Sequence, residues 1–159
     1  MIVIGIGQIL RSDDAVGLAV VNHWRNTFPE SVNRPGILVE LVELPGLFLL
    51  DLLAGARAAI LVDAVHGHSS PGAIHILKET NLASFHPGSG SAHGWGVAET
   101  LALGRRLNPE WLPQNMVLIG IEGQDFSPCL CLSAPVQKAL DQAVNIVDEW
   151  VKIYLGDKI

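Results

Sequence analysis

Blocks of apolar residues alternate with polar ones along the chain, and their spacing predicts strands and helices in turn. Short runs dominated by Val, Ile and Leu predict five buried strands, at residues 1–6, 37–44, 58–63, 73–78 and 115–121. Apolar positions at helical spacing predict helices at 14–28, 46–56, 93–107 and 133–155, and Ser133 is expected to cap the last of them. Apolar strands that alternate with amphipathic helices are typical of a mostly parallel sheet covered on both faces.

One link between predicted strands departs from this pattern. Nine residues, AVHGHSSPG, separate Asp63 from Ala73, too few and too rich in Gly, Ser and Pro for a crossover helix. The fourth strand is therefore expected to run antiparallel to its neighbours. The predicted fold is α/β: a single three-layer αβα domain of residues 1–159, with a mostly parallel, five-stranded twisted sheet, one antiparallel strand and helices on both faces.

Composition narrows the class of protein. Of the 159 residues, 49% are hydrophobic and 16% are charged, which favours a folded core over disorder. No apolar run reaches the roughly 18–20 residues of a membrane span, and the first residues are typical of a strand rather than of a signal peptide. The net charge of −6 argues against a nucleic-acid-binding surface. We therefore expect a cytoplasmic protein that binds neither membranes nor nucleic acid.

The segment GIGQILRSDDAVG, residues 5–17, joins the first predicted strand to the first helix. A dinucleotide-binding loop would have a third glycine where Leu10 stands, and it would not place Asp13 and Asp14 where a phosphate meets the helix N-terminus. No Walker lysine is present either. These features argue against nucleotide binding. Asp13 is expected to cap or support the helix, and Asp14 to act as a ligand or catalytic group.

The topology brings two other candidate residues to the same place as Asp14. Ligands of open α/β sheets bind beyond the carboxyl ends of the parallel strands, where Asp14 and Asp63 both follow apolar runs. Residues 79–92 are long enough to return the chain to that edge, because an extended chain covers roughly 3.3 Å per residue. His93 is therefore expected beside the two aspartates. Their oxygen and nitrogen atoms would suit nickel, zinc or a similar divalent ion. The alternative interpretation of Asp63, as a cap of the next turn, stays open.

Other residues with metal-binding chemistry are harder to assign. Cys129 and Cys131 have no second pair, so they predict neither a disulfide framework nor a zinc site, and we expect ordinary thiols packed in a loop. His66 and His68 stay open as alternative metal ligands. His23 lies on the apolar stripe of the first helix and is expected in the core or at its boundary.

At these motifs the sequence resembles the [NiFe]-hydrogenase maturation endopeptidases. That family opens with a strand and a motif close to G-x-G-N-x-L-x-x-D-[DE]-x-x-G, which stands here as GIGQILRSDDAVG with Gln8 in place of asparagine. Its second acid lies in an apolar strand and precedes alanine, here LVDAV, and its histidine precedes a helix, here SAHGWG. The resemblance extends over nearly the whole chain, but the segment VELPG after the second strand lacks the family's threonine.

The resemblance implies an endopeptidase that removes a C-terminal extension from the large-subunit precursor of a [NiFe]-hydrogenase. Asp14, Asp63 and His93 would contact nickel that the precursor carries, and the protein would act as a monomer without an organic cofactor. Whether the bound ion would polarise the scissile carbonyl or activate water stays open. Two other functions also stay open: a non-catalytic binding module for the metal-loaded precursor, and a related peptidase with another substrate.

Overall fold

The computed structural model describes residues 1–67, 69–78 and 96–157, in which strands alternate with helices. The strands are β1 (Ile2–Gly7), β2 (Leu38–Glu43), β3 (Ala58–Val65), β4 (Ile74–Lys78) and β5 (Asn115–Glu122). The helices are α1 (Val16–Thr27), α2 (Pro29–Val32), α3 (Phe48–Leu53), α4 (Val97–Leu107) and α5 (Ala134–Leu155). Every predicted strand is confirmed, with ends that differ by one or two residues.

The predicted helices are also confirmed, with differences at their ends. The first begins as a 3₁₀ turn, Ser12–Ala15, and becomes α-helical at Val16. The fourth is described from Val97, and its predicted start at His93 lies outside the described residues. Among the described helices, none combines the length and apolar character that crossing a membrane requires.

The five strands form one sheet in the order β2-β1-β3-β5-β4. β1, β2, β3 and β5 pair in parallel, whereas β4 pairs antiparallel with β5, which confirms the predicted direction of the fourth strand. The sequence did not predict the position of β4 in the sheet. β3 and β4 are consecutive in the chain, but β5 lies between them. The short link between them therefore crosses the end of β5, where Gly72 N–H donates to Glu122 O at 2.7 Å.

The two faces of the sheet bury separate apolar layers. Ile60 and Val62 of β3 pack with α1 and α5, whereas Ala59 and Leu61 pack with α3 and α4 on the opposite face. This alternation confirms the predicted three-layer arrangement of helices on both faces of a mostly parallel sheet.

Glycines allow the start of α1 to touch the sheet. A Cβ atom on Gly17 would lie 2.2 Å from the carbonyl oxygen of Val62 and 2.3 Å from that of Ile6. Gly7 has a φ of +154°, and a Cβ atom there would lie 1.9 Å from the carbonyl oxygen of Asp14. The glycines of the GIGQILRSDDAVG segment thus hold the turn that carries Asp14 against the carboxyl ends of β1 and β3.

We expect Gly17→Ala to lower the free energy of unfolding by about 1–3 kcal/mol, because the added methyl group would displace rigid backbone carbonyls of two strands. Urea unfolding followed by circular dichroism measures the change. Asn22→Ala, on the exposed side of the same helix, is the matched control and should change stability by less than about 0.5 kcal/mol. Equal stabilities of the two variants would contradict the close contact.

Candidate active site

Two predicted site residues, Asp14 and Asp63, meet at the carboxyl edge of the sheet. Asp14 lies in the 3₁₀ turn after β1, and Asp63 lies in β3, the strand beside β1. Burial and the nearby charge of Asp14 together raise the pKa of Asp63 to about 7. The N–H of Ala64, which donates to Asp63 Oδ1 at 2.9 Å, opposes this rise. The two carboxyl groups therefore share one partly buried site.

The apolar run before Asp63 suggested that the strand ends there, but the strand continues beyond Asp63. β3 continues to Val65, which pairs with Glu122 and accepts a 2.9 Å hydrogen bond from Gly123 N–H. The extra pairing arises because β5 also extends past its apolar run. Asp63 consequently lies within the ladder, in register with Gly120, where regular backbone geometry orients it.

The third predicted site residue is a histidine of the segment before α4. His93 lies outside the described residues, as does His68, so the set of Asp14, Asp63 and His93 stays a prediction. His66 is described at this edge, exposed, with its ring edge-on to Phe126 at a centroid distance of 5.5 Å. Within the described ranges, no three His, Cys, Asp or Glu side chains are grouped so that they could hold a metal ion.

His23 lies at the surface of α1, so the expectation that it belongs to the core or its boundary is wrong. Its side chain is exposed, and its Nε2 atom lies 3.4 Å from Asp141 Oδ1 on α5. The apolar stripe of α1 is narrower than the sequence suggested, because Val20, Val21 and Trp24 fill the contact with the sheet and with α5.

Asp13 is the buried support of the site. Its Oδ1 atom accepts the N–H of Ser133 at 2.7 Å, and its Oδ2 atom accepts the N–H groups of Gln124 and Asp125 at 2.8 and 3.0 Å. Burial alone would raise the pKa of Asp13, but these hydrogen bonds outweigh it and hold the pKa below its ordinary value. Asp13 thus supports the fold as predicted. Its carboxylate does so by binding N–H groups of the loop between β5 and α5, not by capping α1.

Ser133 does not cap α5 with its side chain, contrary to the sequence-based expectation. It occupies the N-cap position, but its side chain makes no capping hydrogen bond. Its backbone N–H is directed to Asp13 instead. The Asp13 carboxylate, which lies in the turn between β1 and α1, therefore binds the N-cap residue of α5 through its backbone N–H.

Hydrogen bonds also join the two loops directly. Ser12 N–H donates to Cys129 O at 2.8 Å, and Cys129 N–H donates to Leu10 O at 3.1 Å. The hydroxyl of Ser12 donates to Cys131 O at 2.9 Å. The loop that precedes Asp14 is thereby anchored to the loop that follows β5.

Cys129 and Cys131 form a disulfide, so the expectation of ordinary thiols is wrong. Their Cα atoms lie 5.5 Å apart, within the usual range for a disulfide. Spacing alone could not show this, because the separation depends on the turn that the loop adopts against residues 10–12.

Glu122 is a site residue that the sequence analysis missed. It is buried at the end of β5, accepts the N–H of Gly67, and lies 3.1 Å from His75 Nε2. It therefore holds the link that leaves β3 after Val65. The signal was present, because Glu122 ends the apolar run NMVLIGI as Asp63 ends AAILV.

The geometry defines an α/β protein with paired carboxylates at the carboxyl edge, an arrangement that suits chemistry assisted by a divalent cation. A sequence model of the family described as HycI, hydrogenase maturation protease, matches residues 43–150, more than half of the chain. The chain belongs to the hydrogenase maturation protease family and is a peptidase. The matched range includes Asp63 and His93, and Asp14 precedes it.

Individual relatives align with nearly the whole chain. The Hydrogenase 2 maturation protease of Escherichia coli (strain K12) is 27% identical over 153 residues, which cover 92% of this chain and 87% of that protein. The hydrogenase expression/formation protein HupD of Rhodobacter capsulatus is 27% identical over 158 residues, which cover 94% of this chain and 72% of that protein.

Solved structures share the fold. The [NiFe] hydrogenase maturation protease HybD from Thermococcus kodakarensis superposes with a TM-score of 0.75 at 21% identity, over 95% of this chain and 98% of that one. The hydrogenase maturating endopeptidase HybD from E. coli gives 0.73 at 23% identity, over 92% and 88%. The predicted family and fold class are thereby confirmed.

We expect Asp13→Asn to lower the free energy of unfolding at pH 7 by about 1–3 kcal/mol, because an amide cannot accept all three N–H groups. The folded pKa of Asp13 is lowered, so its contribution is present above the unfolded pKa of about 4 and is lost as the pH falls through the folded pKa. The stability difference between wild type and variant in urea should therefore shrink between pH 5 and pH 2.

The matched control for this prediction is Asp51→Asn, which makes the same chemical change at an exposed position of α3. Its stability should stay within about 0.5 kcal/mol of the wild type at every pH. A stability of Asp13→Asn equal to that of the wild type at pH 7 would contradict the supporting role.

We expect Asp63→Asn to be more stable than the wild type above pH 7. The raised pKa of Asp63 means that the folded state holds a proton more tightly than the unfolded state, so wild-type stability falls as the pH rises from about 4 to 7. The variant keeps an acceptor for Ala64 N–H but does not ionise. Thermal unfolding at pH 4 and pH 8 measures the difference, which should be larger at pH 8.

Asp14→Asn separates the two causes of this raised pKa. Without the neighbouring charge, Asp63 should titrate at a lower pH in a carboxyl carbon NMR titration, while burial keeps its pKa above the ordinary value. An unchanged titration of Asp63 would show that the two carboxyl groups are not electrostatically coupled.

Proposed function

We propose that this chain removes a C-terminal extension from the large-subunit precursor of a [NiFe]-hydrogenase after nickel insertion. Asp14, Asp63 and His93 contact the nickel that the precursor carries. The observation that carries the proposal is the coupled pair of carboxyl groups at the carboxyl edge of a hydrogenase maturation protease. The protein acts as a cytoplasmic monomer and needs no organic cofactor.

The electrostatics of the aspartate pair support a role in cation recognition. Burial and like charge both disfavour the ionised form of Asp63, so ionising both carboxyl groups together is electrostatically unfavourable. A divalent cation delivered by the substrate would relieve the repulsion between Asp14 and Asp63. The site therefore favours a precursor that already contains its metal over one that does not.

The same carboxyl groups supply chemistry for hydrolysis. A carboxylate of the pair that does not hold the cation would act as a general base. A substrate-bound cation can polarise the scissile carbonyl or lower the pKa of an attacking water molecule. In either route Asp14 stays an oxygen donor, held in place by its buried neighbour Asp13.

The test is incubation with a nickel-loaded large-subunit precursor, followed by mass spectrometry of the products. We expect the wild type to release a C-terminal peptide and to leave the nickel-free precursor intact. Asp14→Asn, Asp63→Asn and His93→Ala should each lower the cleavage rate by about 100-fold or more, since each removes a proposed metal contact.

Asp141→Asn is the matched control, because this exposed carboxylate of α5 lies away from the carboxyl edge and should leave the rate unchanged. Normal cleavage by Asp14→Asn or His93→Ala would refute the assigned roles. A stable complex with the precursor and no loss of peptide would instead indicate a non-catalytic binding module.

A further inference from the structure

Five large apolar side chains are exposed in the loops that follow β1 and β2 and at the first residue of α3. We name them the apolar rim: Ile9, Leu10, Leu44, Leu47 and Phe48, which are 51%, 66%, 53%, 55% and 55% exposed. Exposed apolar residues that stand singly are common, but a contiguous group marks a binding surface. The question is therefore whether the rim is contiguous and what it binds.

Hydrogen bonding and strand pairing place the two loops side by side. β1 and β2 are adjacent and parallel, and their register pairs Gly7 with Glu43. Past this pair, Ile9 N–H donates to Glu43 Oε2 at 3.1 Å. Leu44 follows Glu43 directly, so the rim residues of both loops emerge from one junction at the carboxyl edge.

Packing of the core does not require the rim. Leu49, Leu50 and Leu53 form the buried face of α3, whereas Phe48 and the preceding Leu47 lie outside it. Leu44 also has a φ of +51°, a conformation that a branched side chain rarely adopts. A leucine that is both exposed and strained weakens the fold, and such features concentrate at functional sites.

The rim is continuous with the acidic pair. β1 lies between β2, which leads into the rim, and β3, which carries Asp63, so the distance across the edge is about two strand spacings, roughly 10 Å. An extended polypeptide covers that distance in about three residues. A peptidase must bind a polypeptide at its site, and the rim presents five exposed apolar side chains beside that site.

We propose that the apolar rim binds apolar side chains of the substrate polypeptide, about three residues from the bond that is cleaved. This inference rests on the proposed function and adds the chemical class of the segment that the enzyme recognises. Burial of the rim against the substrate would contribute binding that is independent of the metal.

The first test compares Leu44→Gly and Phe48→Ser with the wild type on the nickel-loaded precursor. Each should lower kcat/KM by about tenfold, mainly through a higher KM, as expected for the loss of one buried apolar side chain. Leu44→Gly should keep the wild-type Tm, because glycine accepts the positive φ without strain. Leu38→Ser and Leu107→Ser, exposed at the far end of β2 and the end of α4, are matched controls and should cleave normally.

The second test changes the substrate. Once mass spectrometry has located the cleaved bond, an apolar precursor residue within about four positions of it is replaced by serine. The wild type should lose about tenfold in kcat/KM, and Phe48→Ser should lose little more, because the two changes remove one contact. If the losses in kcat/KM from Phe48→Ser and from the precursor substitution add for every precursor residue tested, the inference is overturned.

The outcomes separate this inference from the proposed function. No cleavage by the wild type overturns both. Normal cleavage by the wild type with an unchanged KM for the rim variants overturns only the inference, and so does a lower kcat at unchanged KM. A wild-type dimer in light scattering that Phe48→Ser converts to a monomer would show that a second copy, not the substrate, covers the rim.

Discussion

The contact between the first turn of α1 and the ends of β1 and β3 is the constraint on which the site depends. Gly17 leaves the carbonyl groups of Ile6 and Val62 in direct reach of the helix backbone, and Gly7 makes room for the carbonyl of Asp14. Backbone atoms packed at such distances have little freedom to move. The glycines therefore have a steric role here rather than a role in holding phosphate, and that role sets the place of Asp14.

Asp13 and Asp63, both near Asp14, have opposite pKa shifts because their burial, hydrogen bonds and neighbouring charges differ. Asp13 accepts three backbone N–H groups, so its charge is satisfied within the protein and its pKa is lowered. Asp63 is buried, faces the charge of Asp14 and accepts the N–H of Ala64, and the first two effects outweigh the third and raise its pKa to about 7. The fold thus uses the Asp13 carboxylate for structure and holds Asp63 where its ionised form is disfavoured.

Several unfavourable features of the described chain lie at the carboxyl edge. Like charges meet there, Ser12 and Leu44 have positive φ values, and large apolar side chains face solvent. The two buried layers on either face of the sheet, together with the bonds between the 8–15 and 124–133 loops, offset these costs. Local strain that the rest of a fold supports is typical of a site shaped for substrate.

The sequence by itself determined the five strands, the three layers, the direction of β4 and the meeting of Asp14 with Asp63. These follow from periodicity, link length and the position of polar residues after apolar runs, all of which are local properties. Only the tertiary structure decided that β5 separates β3 from β4, that Asp13 serves residues more than 100 positions away, and that Cys129 and Cys131 are joined. Contacts between distant loops depend on the conformation of both loops. The residue spacing within one loop therefore cannot predict which residues of the other loop it will contact.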